Sequence, residues 1–89
     1  MTNSKIHLAV ISILVEDRQA NAIKMNQLLT DSGHLVIARL GVNVQPACIE
    51  GCTGLIALAV KGTVLEIKSL TKKLDDLYGL VAKVNILTE

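Results

Sequence analysis

Two unbroken apolar runs constrain the fold of this chain more than any other feature. Ile6–Val15 has only His7 and Ser12 as polar residues, and Leu55–Val60 has none. A strand with one face in water alternates apolar and polar residues, whereas a strand covered on both faces is apolar throughout. The two runs therefore predict two central strands of one sheet.

An amphipathic helix is predicted directly after the second run. Thr63 and Glu66 have the spacing of a capping box, in which each side chain binds a free backbone N–H at a helix start. Gly79 is expected to adopt the left-handed conformation that follows a helix end. Apolar residues recur between them at intervals of three and four, which places them on one face: Val64, Ile67, Leu70, Leu74 and Leu77.

A second helix is predicted after the first run. Asp17 is a suitable N-cap for a helix from about Arg18 to Ser32, and Gly33 is a suitable residue to end it. Ile23 falls off the apolar face of this helix. That face carries Ala22, Met25, Leu28 and Leu29.

The remaining two segments have the patterns of less buried strands. Because Arg39 is charged, its side of the segment His34–Val42 is expected to meet water or a partner. The alternation in Leu80–Leu87 is typical of a strand with one wet face. The predicted sides of His34–Val42 are Val36, Ala38 and Leu40 against Leu35, Ile37 and Arg39, and Leu80–Leu87 alternates Ala82, Val84 and Ile86 with Lys83 and Asn85.

The resulting order is β-α-β-β-α-β, which predicts an α+β, ferredoxin-like two-layer sandwich with a four-stranded antiparallel sheet. In that arrangement the first and third strands are central, in agreement with the two apolar runs. We expect residues 1–89 to form a single domain. Two helices cover only one sheet face, so the other face predicts a homo-oligomer, either a dimer or a tetramer.

The charge distribution excludes some classes of partner. The net charge is +1, the basic residues are scattered, and Tyr78 is the single aromatic residue, which argues against direct nucleic-acid binding. Ile6–Val15 is much shorter than the roughly 20 residues of a membrane-spanning helix. It also makes a poor signal peptide, because Glu16, Asp17 and Arg18 fall where a neutral cleavage region belongs. We therefore expect a cytoplasmic protein.

Cys48 and Cys52 lie in the predicted loop Asn43–Thr53, which also carries the single proline. Two thiolates on one loop can chelate a metal ion or close a small disulfide. His34 is a candidate third metal ligand, and a symmetry-related subunit is another source of ligands. The alternative is a pair of reduced thiols without a function, which is common in the cytoplasm.

Several short segments, spread over most of the chain outside Asn43–Thr53, form a set that is found together elsewhere. They are Val15-Glu16-Asp17-Arg18, Ala38-Arg39-Leu40-Gly41, Lys61-Gly62-Thr63 with Glu66-Ile67 and Leu70-Thr71-Lys72-Lys73-Leu74, and the closing Leu87-Thr88-Glu89. This set resembles one family, the small stand-alone regulators of the iron-only hydrogenase system, which have an ACT-like ferredoxin fold. The resemblance implies a regulatory module.

Ile67–Thr88 is also similar to the tetramerising, nickel-sensing domain of the nickel-responsive regulator. Cys52 stands where that domain has a ligand cysteine, but Gly41 and Asn43 stand where it has histidines. A nickel site of that kind is therefore incomplete. Amino-acid-binding ACT domains have a glycine-containing turn after the first strand, and Glu16–Asn21 contains no glycine.

The sequence predicts a regulatory module that binds a ligand or a protein partner, and it is not expected to be an enzyme. No nucleophile beside a base and no facing pair of carboxylates can be assembled. Candidate contact residues are Arg39 and Gly41 on a strand and Asp17 and Arg18 at a helix start. Two alternatives remain open, a metal-binding or redox-sensing protein that acts through its two cysteines, and a structural oligomerisation partner.

Overall fold

A computed structural model describes residues 5–89, and for Arg18 it describes the backbone alone. One four-stranded antiparallel sheet has the strand order β2-β3-β1-β4, so the first and third strands are central as predicted. The α+β ferredoxin-like architecture is thereby confirmed. Its elements are β1 (His7–Val15), α1 (Arg18–Asp31), β2 (Val36–Asn43), β3 (Gly54–Gly62), α2 (Val64–Asp75) and β4 (Leu80–Ile86).

The core lies between the two helices and one face of the sheet. Ile11 pairs with Leu58 and Ile13 pairs with Ile56 across the two central strands, and all four side chains are buried. Burying a side chain of this size stabilises the fold by roughly 1.5–3 kcal/mol. The alternate residues of the same strands point to the outer face, where Leu14 and Leu55 stay partly exposed.

α2 begins at the capping box that the sequence predicts. The Thr63 hydroxyl accepts from the Glu66 backbone N–H at 3.1 Å, and the Glu66 carboxylate accepts from the Thr63 N–H at 3.0 Å. The helix ends at Asp75, and Gly79 follows with a φ of 81°, in the left-handed region. Its buried residues are Ile67, Leu70, Thr71 and Leu74.

α1 has the predicted cap but buries less. The Asp17 side chain accepts from the Ala20 N–H, and the helix ends within one residue of the predicted end. Met25 and Leu29 are buried in the core, whereas Ile23 is 70% exposed. Nothing in the structure explains an isoleucine at that position.

β2 contains a β-bulge that changes its predicted sides. Val36 pairs with Val60 and Ala38 pairs with Ala59, so Ile37 is an extra residue in the strand. The prediction that Val36 and Ala38 share a side was therefore wrong, since strict alternation does not hold across a bulge. Arg39 pairs with Leu58, which places it on the side that faces the helices.

The outer face of the sheet has no cover within residues 5–89 of this chain. It is formed by the alternate strand residues that point away from the helices, and most of these are apolar. Its polar members are Ser12 on the central strand β1, Lys61 at one end, and Lys83 and Asn85 on the edge strand β4. The apolar members are Leu8, Val10, Leu14, Ala38, Leu40, Val42, Leu55, Ala57, Ala59 and Val81.

Candidate functional site

A groove lies between α1 and the edge strand β2, because α1 packs over the central strands and leaves β2 uncovered. Its volume is about 480 Å³. All eight residues of β2 are at least partly exposed, although one of its faces points toward the helices. The groove is lined by Val15, Gln19, Ala22, Met25, Arg39, Gly41, Val42, Asn43, Gly54, Leu55 and Ile56.

Gly41 lies on the helix-facing side of β2, where it pairs with Ile56. A Cβ atom added at Gly41 would meet no heavy atom within 4 Å. The glycine therefore leaves free space above the sheet, into which a ligand can approach the strand closely. Contact between Gly41 and a ligand stays a prediction.

Arg39 crosses the groove toward α1. Its Nη1 donates to Oδ1 of Asn26 at 2.8 Å. A second cavity, of about 440 Å³, lies on the other side of this contact and is also lined by Arg39 and Asn26. Among the described residues that line the first groove, only Arg39 carries a charge. A guanidinium above apolar walls favours a ligand that has a carboxylate or another anionic group.

Asp17 is not among the residues that line the groove. Asp17 has a left-handed backbone with φ 46°, and its carboxylate serves as the cap of α1. The side chain of Arg18 lies outside the described part of the structure. Asn21 donates to the carbonyl oxygen of Glu16, so this turn is held by contacts within the chain.

Cys48 and Cys52 form a disulfide in the loop between β2 and β3. In this state neither sulfur is a thiolate, so metal binding by the pair requires prior reduction. The side chain of Gln19 holds the loop to α1, because its Nε2 donates to the Ile49 carbonyl oxygen at 3.2 Å and its Oε1 accepts from the Cys52 N–H at 3.3 Å.

His34 is not brought together with the two cysteines. It precedes β2, whereas the cysteines follow the other end of that strand. Eight residues in a strand span roughly 25 Å, so a single subunit cannot join the three side chains at one metal ion. Within residues 5–89, no three side chains of the His, Cys, Asp and Glu types lie together as a metal-binding group.

His34 instead faces the start of α2, with its Nε2 3.9 Å from Oε2 of Glu66. The hydrogen bonds from the Thr63 backbone and hydroxyl lower the pKa of Glu66, and the nearby His34 adds to this effect. The carboxylate is exposed, so this contact has the character of a surface interaction. It supports the helix start and forms no enclosed site.

Gln19 and Asn26 are site residues that sequence reasoning missed. Both lie on α1 near Ala22 and Met25, at spacings that place them along the same side of a helix. The sequence signal for them was the placement of Gln19 and Asn26 at the two ends of the short apolar stripe formed by Ala22 and Met25. It is weak, because polar residues at these spacings also occur on ordinary solvated helix faces.

Comparison with known proteins identifies the family. A family model described as "Iron-only hydrogenase system regulator, putative" (TM1266-like) matches residues 7–84. The structure of the uncharacterized protein TM1266 from Thermotoga maritima superposes with a TM-score of 0.83 at 25% sequence identity, over 94% of this chain and 100% of that chain. No curated protein matches the sequence.

Two more distant structures show the fold alone. The ACT domain from GTP pyrophosphokinase of Chlorobium tepidum has a TM-score of 0.71 at 15% identity, over 93% of this chain and 100% of that one. The divalent cation tolerance protein CutA1 from Thermus thermophilus has a TM-score of 0.52 at 21% identity, over 92% and 84% of the two chains. In the described residues no helix is long and apolar enough to cross a membrane. Because the family model spans most of the sequence, this chain belongs to the TM1266-like iron-only hydrogenase system regulator family.

Proposed function

We propose that the protein is a non-enzymatic regulatory module that binds a small anionic effector in the groove between α1 and β2. The observation that carries this proposal is the open space above Gly41 beside the guanidinium of Arg39. The apolar walls give the ligand a surface to bury, and the arginine gives it an orientation. The family description supports a regulatory role in an iron-only hydrogenase system.

Effector binding is tested by calorimetric titration of the protein with the twenty amino acids and a set of small carboxylates. We expect Arg39→Gln to weaken binding of the best ligand by about 10-fold or more, because a hydrogen bond to a charged group contributes roughly 1.5–3 kcal/mol. Gly41→Phe fills the groove and should abolish binding. Lys83→Gln removes a cation from the outer face and serves as the matched control. Absence of any binding would favour a structural oligomerisation partner instead.

We also propose that the protein is a homo-oligomer in which a second copy covers the outer sheet face. A contiguous apolar surface on one side of a sheet is typical of an interface. Leu14 lies on a central strand of that surface, between Leu55 and Val81, so Leu14→Lys should shift the assembly to monomers in native mass spectrometry. Leu65 is also exposed but lies on α2, so Leu65→Lys should leave the assembly intact. A monomeric wild-type protein would contradict the proposal.

The role in a hydrogenase system has a separate test. Deletion of the gene from its host should change hydrogen evolution or hydrogenase abundance, and complementation with the wild-type gene should restore it. Complementation with Arg39→Gln should fail if regulation requires the groove. Unchanged hydrogenase activity and abundance in the deletion strain would contradict this part of the proposal.

A second candidate function is thiol redox sensing, which the Cys48–Cys52 disulfide favours over metal binding. Replacing both cysteines by serine distinguishes the candidates. A pure effector module should keep its fold, assembly and ligand affinity in the double variant. A redox sensor should lose its response to dithiothreitol in the double variant. A metal-binding protein should take up Zn²⁺ only after reduction of the wild type, and the double variant should take up none.

A further inference from the structure

The two cysteines of the disulfide differ in their access to solvent. Cys52 is fully buried, whereas Cys48 is half-buried. A thiolate breaks a disulfide by attacking one sulfur, and access helps to decide which sulfur it attacks. Cys48 is therefore the more accessible residue of this disulfide, which makes its sulfur the expected point of attack and Cys52 the leaving group.

Gln19 connects this disulfide to the first turn of α1. Its Nε2 lies 3.4 Å from the Cys52 sulfur and 3.2 Å from the Ile49 carbonyl oxygen, and its Oε1 lies 3.3 Å from the Cys52 nitrogen. Ile49 lies inside the five-residue segment that the disulfide closes. A change at the disulfide therefore acts directly on the partners of one side chain of α1.

The same side chain lines the groove. Asn43 and Gly54, which pair with each other at the base of the loop, line it as well. The loop thus closes one end of the groove, and the disulfide determines how much conformational freedom the loop has. The groove and the disulfide share Gln19 as a common element.

We propose that Cys48–Cys52 is a thiol–disulfide exchange site for a small thiol such as glutathione, and that its redox state controls the shape of the groove through Gln19. This regulation concerns the same groove and rests on the proposed function, in which the groove holds the effector. Cytosolic disulfides are commonly transient and redox-sensing, which fits a pair of this kind.

The exchange proceeds in two balanced steps. The thiolate of glutathione attacks the Cys48 sulfur, a mixed disulfide forms there, and Cys52 leaves as a thiolate that can accept a hydrogen bond from the Gln19 amide. A second glutathione thiolate then attacks the glutathione sulfur of the mixed disulfide. Oxidised glutathione is released and Cys48 becomes a thiolate. The protein gains two electrons, and two glutathione molecules lose them.

Opening the five-residue ring gives the backbone of Ile49 and its neighbours more conformational freedom. Water can then replace the hydrogen bonds between Gln19 and these backbone groups, and the Gln19 side chain can adopt other rotamers. We expect Gln19 to move relative to Met25 and Gly41 on reduction. The buried face of α2 lies in the other half of the molecule, so its side chains should not move when the disulfide is reduced.

The site of attack is tested by mass spectrometry on the oxidised full-length protein. Incubation with reduced glutathione, quenching with N-ethylmaleimide and peptide mapping should place glutathione on Cys48 and the maleimide on Cys52. The Cys52→Ser variant, incubated with oxidised glutathione, should accumulate the adduct at Cys48. Glutathione found mainly on Cys52, or no exchange in the folded protein, would overturn the proposed site.

The coupling to the groove is tested by NMR spectroscopy on oxidised and dithiothreitol-reduced wild-type protein. The Gly41 amide and Met25 methyl resonances should shift, whereas the Ile67 methyl resonances should stay in place. Gln19→Met keeps the side-chain length but lacks the amide, and should reduce the shifts at Gly41 and Met25 by at least half. Unchanged resonances at both positions in the wild type would overturn the coupling.

Both redox experiments are carried out without an effector, so their results do not depend on effector binding. Failure of every candidate ligand would contradict the proposed function and leave the redox result standing. Normal ligand binding with unchanged groove resonances would contradict only the redox coupling. A serine double variant that no longer responds to dithiothreitol confirms that the reductant acts through the two cysteines.

Discussion

The two helices are similar in length, with 14 residues in α1 and 12 in α2, but they cover the sheet differently. α2 buries four side chains and packs closely on β4 and the central strands, whereas Met25 and Leu29 are the buried side chains described in α1. β4 is therefore half covered, while β2 is exposed along its whole length. The α2 half holds the fold together, and the α1 half leaves the space in which a ligand can bind.

This difference follows from the residues of each helix. The apolar stripe of α2 is regular and begins at a reciprocal cap. The inward side of α1 includes Gln19 and Asn26, whose amides bind the loop and Arg39 and contribute little apolar contact. Binding regions commonly lie in the less stable parts of a protein. The comparison between the halves can be tested by matched pairs of variants.

The largest expected difference concerns the buried leucines of the two helices. Leu74→Ala removes a fully buried side chain from α2 and should lower the free energy of unfolding by about 3–5 kcal/mol. Leu29→Ala acts beside a cavity, where the surroundings are already open, and should cost about 2–3 kcal/mol. Urea denaturation of both variants provides the measurement. A larger loss for the α1 variant would reverse the comparison.

Two glycines should respond to alanine with opposite signs. At Gly79 the backbone is left-handed and the new Cβ would collide with the Asn21 side chain, so Gly79→Ala should cost roughly 1–3 kcal/mol. At Gly41 there is free space in an ordinary strand conformation, so Gly41→Ala should be neutral or stabilise by up to roughly 1 kcal/mol. Thermal unfolding monitored by circular dichroism measures both. A clear destabilisation by Gly41→Ala would contradict the open groove.

The two helix starts should differ by a smaller amount. Thr63→Ala removes one side of the capping box of α2 and should cost about 1 kcal/mol. Asp17→Ala removes a longer cap contact of 3.4 Å, and the loss of that contact should cost less. Because Asp17 has a left-handed backbone, alanine there adds a backbone cost. Asp17→Gly avoids this cost and therefore measures the cap contact alone. Equal losses in chemical denaturation would show that the helix starts do not contribute to the difference between the halves.

The smallest expected effect depends on pH. The pKa of Glu66 is lowered in the folded state from its ordinary value of 4.5, chiefly by the hydrogen bond from the Thr63 backbone. The stabilisation by the ionised carboxylate is therefore complete above pH 4.5 and is lost as the pH falls through the lowered value. Glu66→Gln keeps the cap geometry but does not titrate, so the stability difference between the two proteins should decrease below pH 4.5. A difference that is constant between pH 7 and pH 3 would contradict this assignment.

The features that were predictable from the sequence rest on local chemistry. The apolar runs indicated which strands are central, and Thr63 with Glu66 indicated where α2 begins. The bulge at Ile37 was not predictable, because neighbouring apolar residues of similar size give no signal for an extra residue. The disulfide was one of three possibilities left open for the cysteines, beside metal chelation and idle reduced thiols. The role of Gln19 depends on a loop that lies 30 residues further along the chain.

The bulge at Ile37 has a consequence for how this chain can change over time. Because side chains alternate along a strand, one extra residue exchanges the two surfaces of everything that follows it. Deletion of the Ile37 codon would remove that extra residue and leave Arg39 and Gly41 facing the helices, because Val36 and Ala38 already pair with consecutive residues of β3. A further residue inserted directly after Ala38 would instead turn Arg39 and Gly41 outward and point Leu40 and Val42 toward α1. The strand thus tolerates the loss of one residue at the bulge, whereas one added residue beyond it would change the proposed groove and the proposed interface together.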